Sequence, residues 1–488
     1  MLSFIFFATL LVVFFFFWQE GQYCLGVEII SQEQFHRYTQ YESVGSGIAL
    51  TFWDKPVALD IQTSTIYIPQ NIPSGSNNRD MMGKLKAEDD AFLLFFLEDP
   101  LFSDLASAAE ESHPFKLLVT DGHTSCTTYH VIFTTLPVLR IESDVQNIGH
   151  LTIWTPADPE INGYTAKTSL VQWHIRGQSS QTFPKKNWKI SLKKDNGDNQ
   201  DLSLVGLGAD DDWLLNAMYS DDLKVREMLT TTLWNTLIKQ SSHNFPMSAG
   251  EYVELMIDGA YYGIYLLQRR VDGKYLNLGG EDILLKGKNT WTPETIYDGY
   301  EIIYSQTQTD PYVLMRDYLV SDTLLSPDLD NFIDCNLLLQ LASAPDNMGY
   351  KNMFYVLKKQ TKGYNLYWIP WDTDWSYISN AWGFGYTGDI SSTGSRMEYA
   401  PIKKLYPTLD EITAARWTEL RKSVFSEENI LSVLDVLETK LRSSGAYIRD
   451  RQLWGLLHDE EDSQNILRYF ITERLSFLDS YYALSVSP

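Results

Sequence analysis

Two stretches of this sequence hold side chains that could do chemistry together. The first is acidic: Asp346, Lys351-Asn352 and Trp371-Asp372-Thr373-Asp374. Between them lie two strand-like runs, 351–359 and 364–370, joined by Gln360-Thr361-Lys362-Gly363. An antiparallel hairpin returns the chain to its starting end. Asp346 and Asn352 at its entrance are therefore expected beside Asp372 and Asp374 at its exit. Several oxygen donors at one end of a hairpin suit Mg²⁺, a hard cation that prefers carboxylates and phosphate oxygens. A carboxylate next to such an ion can take the proton of an attacking hydroxyl in phosphoryl transfer. The plain alternative is that Asp favours turns and that Asp-x-Asp is common in an acidic chain.

The second stretch is His174-Ile-Arg176-Gly177-Gln178-Ser179-Ser180-Gln-Thr-Phe-Pro184-Lys185-Lys186. Gly, Ser and basic residues between two strands can cradle phosphate through backbone N–H groups and cationic side chains. The flanking runs, 169–176 and 187–192, are expected to form a flap over a nucleotide. Lys186 shares strand parity with Trp188 and Ile190, so it is expected on the inward face, with Lys185 and Lys189 outward. An ordinary hairpin loop with a solvated lysine pair is the competing reading. Lys286, isolated in Leu284-Leu285-Lys286-Gly287, reads alone as a surface residue and is added as a further nucleotide-side candidate.

These groups need a scaffold. Region 27–135 reads as a small β-rich domain, with short strands near 48–53, 61–68, 115–119 and 127–133, and a loop at 71–80. Segments 91–97 and 101–109 are expected to be helical. From about 136 to the end, 488, strands and helices alternate. Asp221 is expected to cap a helix with Val225, Leu229, Leu233 and Leu237 as its buried stripe. Asp258-Gly259 marks a tight hairpin between 252–257 and 260–267. Helices are expected at 409–424, 427–442 and 466–482.

Composition narrows the function. The 488 residues carry 39 Lys+Arg against 63 Asp+Glu, a net charge of −24. That balance disfavours a nucleic-acid binder, which normally shows a basic surface, and favours basic partner segments. An apolar run from Phe4 to Trp18, broken by Thr9 alone, resembles a secretory leader, with cleavage expected after Gly26. No later segment reads as a membrane span. Three cysteines, Cys24, Cys126 and Cys335, exclude a disulfide framework but leave room for one bridge.

Taken in order, these segments resemble the CotH kinase family of atypical protein kinases. The matching text runs from Trp173 to Ile190, then Asp212 to Asp221 with Arg226, then Glu254 to Tyr265, Asp346 with Lys351-Asn352, and Trp371 to Asp374. It also includes Ala415 to Arg421 and Phe470 to Asp479. The resemblance implies an α/β (α+β) fold: an atypical protein-kinase-like two-lobed catalytic domain over 136–488, behind the β-rich domain. It implies use of ATP and Mg²⁺ to phosphorylate Ser or Thr of a protein acceptor. Asp346 would be the catalytic residue, Asn352, Asp372 and Asp374 the metal ligands, and Arg176, Ser179, Ser180, Lys186 and Lys286 the nucleotide side. The family pattern is acidic where this chain has Gln268, which keeps a non-catalytic surface or adhesion protein on the same fold as an alternative. A metal-dependent glycosyltransferase using Asp372-x-Asp374 is a third reading; the antiparallel hairpins argue against it.

Overall fold

The computed structural model describes residues 27–40, 42–43, 48–72, 82–99, 104–145, 147–157, 164–241, 245–288, 295–320, 325–347, 351–377, 390, 399–455 and 460–484. The leader expected at 1–26 and most of the loop expected at 71–80 lie outside these residues. The fold is mixed, with three main sheet systems in chain order and helices gathered toward the C-terminus.

The first sheet runs Glu28–Ile30, Leu93–Leu97, Phe115–Thr120, Ser125–Thr134, Thr65–Pro69, Ala58–Asp60. Leu93–Leu97 was expected to be helical and is a strand. Its Leu-Leu-Phe-Phe-Leu run is too short to carry a helical period, and pairing on both sides buries it. A short helix, Leu105–Glu110, follows, capped by the Asp104 carboxylate on the Ser107 N–H. Cys126 packs with Ile30, Phe35, Phe95 and Leu118, whereas Cys335 lies in the largest core, so the two thiols are not bridged.

The second system is a closed seven-stranded barrel. Its order is Val138–Val145, Ile148–Pro156, Tyr164–Arg176, Asn187–Lys193, Asp212–Asn216, Ala260–Arg269, Gly250–Ile257 and back to the first strand. The supposed flap is two staves of this barrel. Alternation assigns the faces. Val171, Trp173, Ile190, Leu192, Trp213, Leu215, Tyr265 and Leu267 fill the interior. Outward residues pack elsewhere: Val138, Trp154 and Met256 against the first sheet, and Leu214, Tyr252, Ile264 and Leu266 against the C-terminal core. Asp258 and Gly259 both take positive φ (50° and 70°), as a two-residue turn of mirror-image type requires.

The third is a five-stranded sheet ordered Tyr300–Ser305, Ile283–Gly287, Met353–Lys359, Tyr364–Pro370, Leu325–Pro327. Helix Leu329–Ala342 packs on it. The buried Asn331 amide continues the sheet's hydrogen bonding: it accepts from the Trp368 N–H at 2.7 Å and donates to the Trp368 carbonyl at 3.1 Å. Helices Leu409–Leu420, Glu427–Ser443, Ala446–Trp454 and Glu460–Leu484 close the core. Arg474, fully buried on the last, donates Nε and Nη2 to the Gln340 carbonyl at 2.9 and 2.6 Å. That bond fixes the end of the helix that leads to Asp346.

Helix Ala446–Trp454 ties the barrel to this core. Arg449 makes a two-pronged buried pair with Glu254, at 2.9 and 2.7 Å. Asp450 accepts from the Ile264 N–H at 2.9 Å and from Lys185 Nζ at 2.5 Å. Among the described residues, no helix is long and apolar enough to cross a membrane.

Candidate active site

Helix Leu329–Ala342 ends at Ser343 in the left-handed region, and one 3₁₀ turn, Pro345–Asn347, presents Asp346. The hairpin Met353–Lys359/Tyr364–Pro370 then begins and ends beside it. Asn347 holds the two mouths together. Its Nδ2 donates to the carbonyls of Asn352 and Trp371, each at 2.8 Å, and the Trp371 N–H donates to the Asn352 carbonyl at 3.1 Å. The Asp346 carboxylate accepts from Lys351 Nζ at 2.6 Å and from Asn352 Nδ2 at 2.7 Å. Asn352 and Asp372 both take positive φ, 51° and 58°. Non-glycine residues pay for that conformation, and it clusters at functional sites. Asp346, Asn352, Asp372 and Asp374 thus meet at one end of the hairpin.

Two further groups deepen this acidic end. Ser220 Oγ donates to Asp374 at 2.6 Å. Glu227, buried on helix Arg226–Ile238, accepts from the Thr373 N–H at 2.6 Å and Thr373 Oγ at 2.8 Å. Desolvation and the Asp372 charge push the Glu227 carboxyl up to about 7. The same two causes push Asp374 up to about 8. These carboxyls repel one another, and a hard divalent cation among them would relieve that repulsion. A separate acidic group, Asp201, Asp210 and Asp211, lies elsewhere and already surrounds the Lys274 ammonium.

Beside the acidic end lies a cavity of about 310 Å³ between the barrel's outer wall and the face of the five-stranded sheet. Four cationic side chains line it: Arg176 and Lys286, and Lys189 and Arg270, which pair with the Asp212 carboxylate at 2.8 and 3.2 Å. Among the described lining residues Glu301 is the one carboxylate, and Leu214, Val271, Ile303, Phe354 and Trp371 supply apolar walls. Burial lowers the Arg176 pKa against the opposing pull of Asp372 and Glu227. Burial and the Arg176 charge lower that of Lys286, again opposed by Asp372. The cationic cavity and the acidic hairpin end are therefore electrostatic neighbours. Asp212 takes up the charge of Lys189 and Arg270, so Arg176 and Lys286 carry the cavity's attraction for an anion, and its apolar walls suit a flat apolar group.

The expected nucleotide-side residues divide. Arg176 and Lys286 line the cavity. Ser179 and Ser180 do not; they form a 3₁₀ turn, Ser179–Thr182, in which Ser180 Oγ accepts from Asn187 Nδ2 at 3.2 Å. Lys186 is spent on that same loop, donating to the carbonyls of Gln181 at 2.7 Å and Phe183 at 2.5 Å. The parity argument fails for a physical reason. The strand begins at Asn187, so Lys185 and Lys186 precede it. Moreover, the face shared by Trp188 and Ile190 is the barrel interior, and the cavity is on the outer face, where Lys189, His174 and Arg176 lie. Lys185, expected outward, is fully buried.

Asp221 is not a helix cap. The helix starts at Arg226 with Val225 at its N-cap, and Asp221 instead closes the preceding loop, accepting from the N–H groups of Leu223 (3.1 Å) and Arg226 (2.8 Å) and pairing with the Arg226 guanidinium. Glu227, Asn347, Lys189 and Arg270 were not singled out as site residues. A signal for Glu227 exists: its helix is apolar or small on nearly every side, which leaves a carboxylate no face toward water. Gln268 is buried, donates to the Ser248 carbonyl at 3.2 Å and hydrogen-bonds Glu227.

An anion cavity thus lies beside a group of carboxyls at a hairpin mouth. The chain belongs to the CotH kinase protein family, whose model matches residues 173–312 and 326–478, more than half of the chain. It is thus a kinase-related protein. No curated protein matches it.

Proposed function

We propose that this protein is an atypical Ser/Thr protein kinase using ATP, with the barrel and the five-stranded sheet acting as its two lobes. The observation that carries the reading is the adjacency of the cavity lined by Arg176 and Lys286 to Asp346, Asn352, Asp372 and Asp374. ATP would lie with its triphosphate toward Arg176 and Lys286 and its base between apolar walls such as Phe354 and Ile303. Asp372, Asp374 and the side-chain oxygen of Asn352 would hold Mg²⁺. When bound, that ion supplies neutralisation of charge on the transferred phosphoryl group. Asp346, held by Lys351 and Asn352, would orient the acceptor hydroxyl and take its proton. The acceptor is a protein carrying Ser or Thr, with basic segments favoured by the chain's negative charge. The apolar stretch at 4–18 supports export to the outside or the cell surface. A second reading, a non-catalytic surface protein on this fold, draws on Gln268 beside Glu227 where the family pattern is acidic. Thermal shift with ATP and Mg²⁺ separates the two: a millimolar-range shift supports the kinase, and no shift supports the binding module.

A further inference from the structure

Every barrel strand precedes residues 270–282 and every strand of the five-stranded sheet follows them, so this connection carries the chain from one to the other. Its first residues, Arg270 and Val271, line the candidate active-site cavity. On the barrel side the buried Asp210 carboxylate holds the start of the connection. Its Oδ2 accepts from Arg269 Nε at 2.8 Å and Nη2 at 2.7 Å. Its Oδ1 lies 3.3 Å from Lys274 Nζ, an ammonium that Asp201 and Asp211 also pair with. The same Oδ1 accepts from the Asp211 N–H at 2.9 Å, just before the strand Asp212–Asn216 that brings Leu214 into the cavity wall. The Arg270 N–H donates to the Asp212 carbonyl at 3.1 Å. On the sheet side, Gly273 faces the Tyr304 ring. A Cβ at this glycine would stand 2.4 Å from Tyr304 Cδ2 and 2.7 Å from Cγ, so any larger residue must displace the ring or its strand. That strand, Tyr300–Ser305, supplies Glu301 and Ile303 to the cavity.

We propose that Asp210 and Gly273 are positioning residues for this cavity. Together they fix the connection, and with it the separation of the barrel wall, with Arg176 and Leu214, from the sheet wall, with Lys286, Ile303 and Phe354. Neither is among the described lining residues. Asp210 acts through Arg269 and Lys274, and Gly273 acts through Tyr304. A buried carboxylate that serves two cations has no low-cost substitute, because its loss leaves them without their shared anion. Bare backbone packed on a ring leaves no slack for the strand to slide. That the fixed separation serves MgATP rests on the kinase reading; that these two residues fix it does not.

The test uses the full chain in two measurements. Hydrogen–deuterium exchange without nucleotide compares wild type with Asp210→Asn and Gly273→Ala. Both variants should exchange faster at 269–276 and 300–305, with strands Val138–Val145 and Ile148–Pro156 unchanged. Calorimetric titration with MgATP should then show several-fold weaker binding in both. Gly273→Ala/Tyr304→Ala makes room for the added methyl and should bind MgATP more tightly than Gly273→Ala alone, a recovery that general loss of stability does not produce. Gly273→Ala with its double variant also covers the case that Asp210→Asn does not fold. Wild-type exchange at both segments in the variants would overturn the fixing of the connection. Wild-type MgATP affinity in the variants, or no recovery in the double variant, would overturn the positioning role. Wild-type protein that binds no MgATP would refute the nucleotide reading instead, and exchange would still decide whether these residues fix the connection.

Discussion

Asp450→Asn tests how the loop 177–186 is held. Lys185 Nζ is buried between the Asp450 carboxylate and the Ile264 carbonyl, each at 2.5 Å, and sits 4.7 Å from the Tyr265 ring centre. Lys224 Nζ lies 3.7 Å from the other Asp450 oxygen. Burial pulls the Lys185 pKa down from 10.5 to about 8 even though Asp450 opposes the fall. That displacement corresponds to roughly 3 kcal/mol of net cost for holding the charge. Asparagine can still accept from the Ile264 N–H but leaves two buried cations without their shared anion. Removing one partner of a buried pair costs about 3–5 kcal/mol. The pH sign follows from linkage. A lysine whose folded pKa is depressed binds fewer protons in the folded state, so stability rises with pH from about 8 toward 10.5. In the variant the folded pKa falls further, so the deficit due to Lys185 grows as pH falls below about 8, reaches roughly 2 kcal/mol near pH 6.5, and vanishes by pH 9.5, where Lys185 is neutral in both folded proteins. Urea unfolding followed by tryptophan fluorescence at the two pH values reads this directly. A deficit below about 1 kcal/mol, or one equal at both pH values, would refute the reasoning.

Further outcomes are expected at the site itself. Arg176→Ala and Lys286→Ala should each raise the dissociation constant for MgATP about tenfold or more, a charge-assisted hydrogen bond being worth ~1.5–3 kcal/mol. Lys186→Ala should change it less than about threefold, since that ammonium serves loop carbonyls; isothermal titration compares all three. Asn347→Ala removes the donor shared by the Asn352 and Trp371 carbonyls and should cost about 1–3 kcal/mol in chemical unfolding, with phosphorylation falling more than nucleotide affinity. Gln268→Glu adds a carboxyl beside Glu227; metal-free protein should melt at lower temperature than wild type near pH 8, with the difference narrowed by added Mg²⁺ in differential scanning fluorimetry.

Much of the site could be read from residue types. Asp346, Asn352, Asp372 and Asp374 converge because a hairpin closes on itself, and an antiparallel return is visible in two strand-like runs with a short Gly-containing turn. Arg176 and Lys286 were recognisable as cations near strands. What escaped was orientation. Strand parity separates two faces but does not say that the face shared by Trp188 and Ile190 closes into a barrel, because closure depends on the parallel pairing of Val138–Val145 with Gly250–Ile257, over 100 residues apart. That closure moved the cavity to the opposite face and exchanged Lys186 for Lys189. Glu227 and Asn347 were hidden because their roles are set by tertiary neighbours, Thr373 and Trp371, rather than by local pattern. Leu93–Leu97 shows the same limit on a smaller scale: five apolar residues fit either period until their partners on both edges are known.

The kinase reading is tested most directly by incubating purified protein with γ-labelled ATP, Mg²⁺ and a Ser-rich acceptor. Wild type should label itself or the acceptor. Asp346→Ala and Asp372→Ala should abolish labelling while retaining wild-type folding by circular dichroism. Labelling that survives in both variants, or wild-type protein that neither labels nor binds ATP, would contradict it.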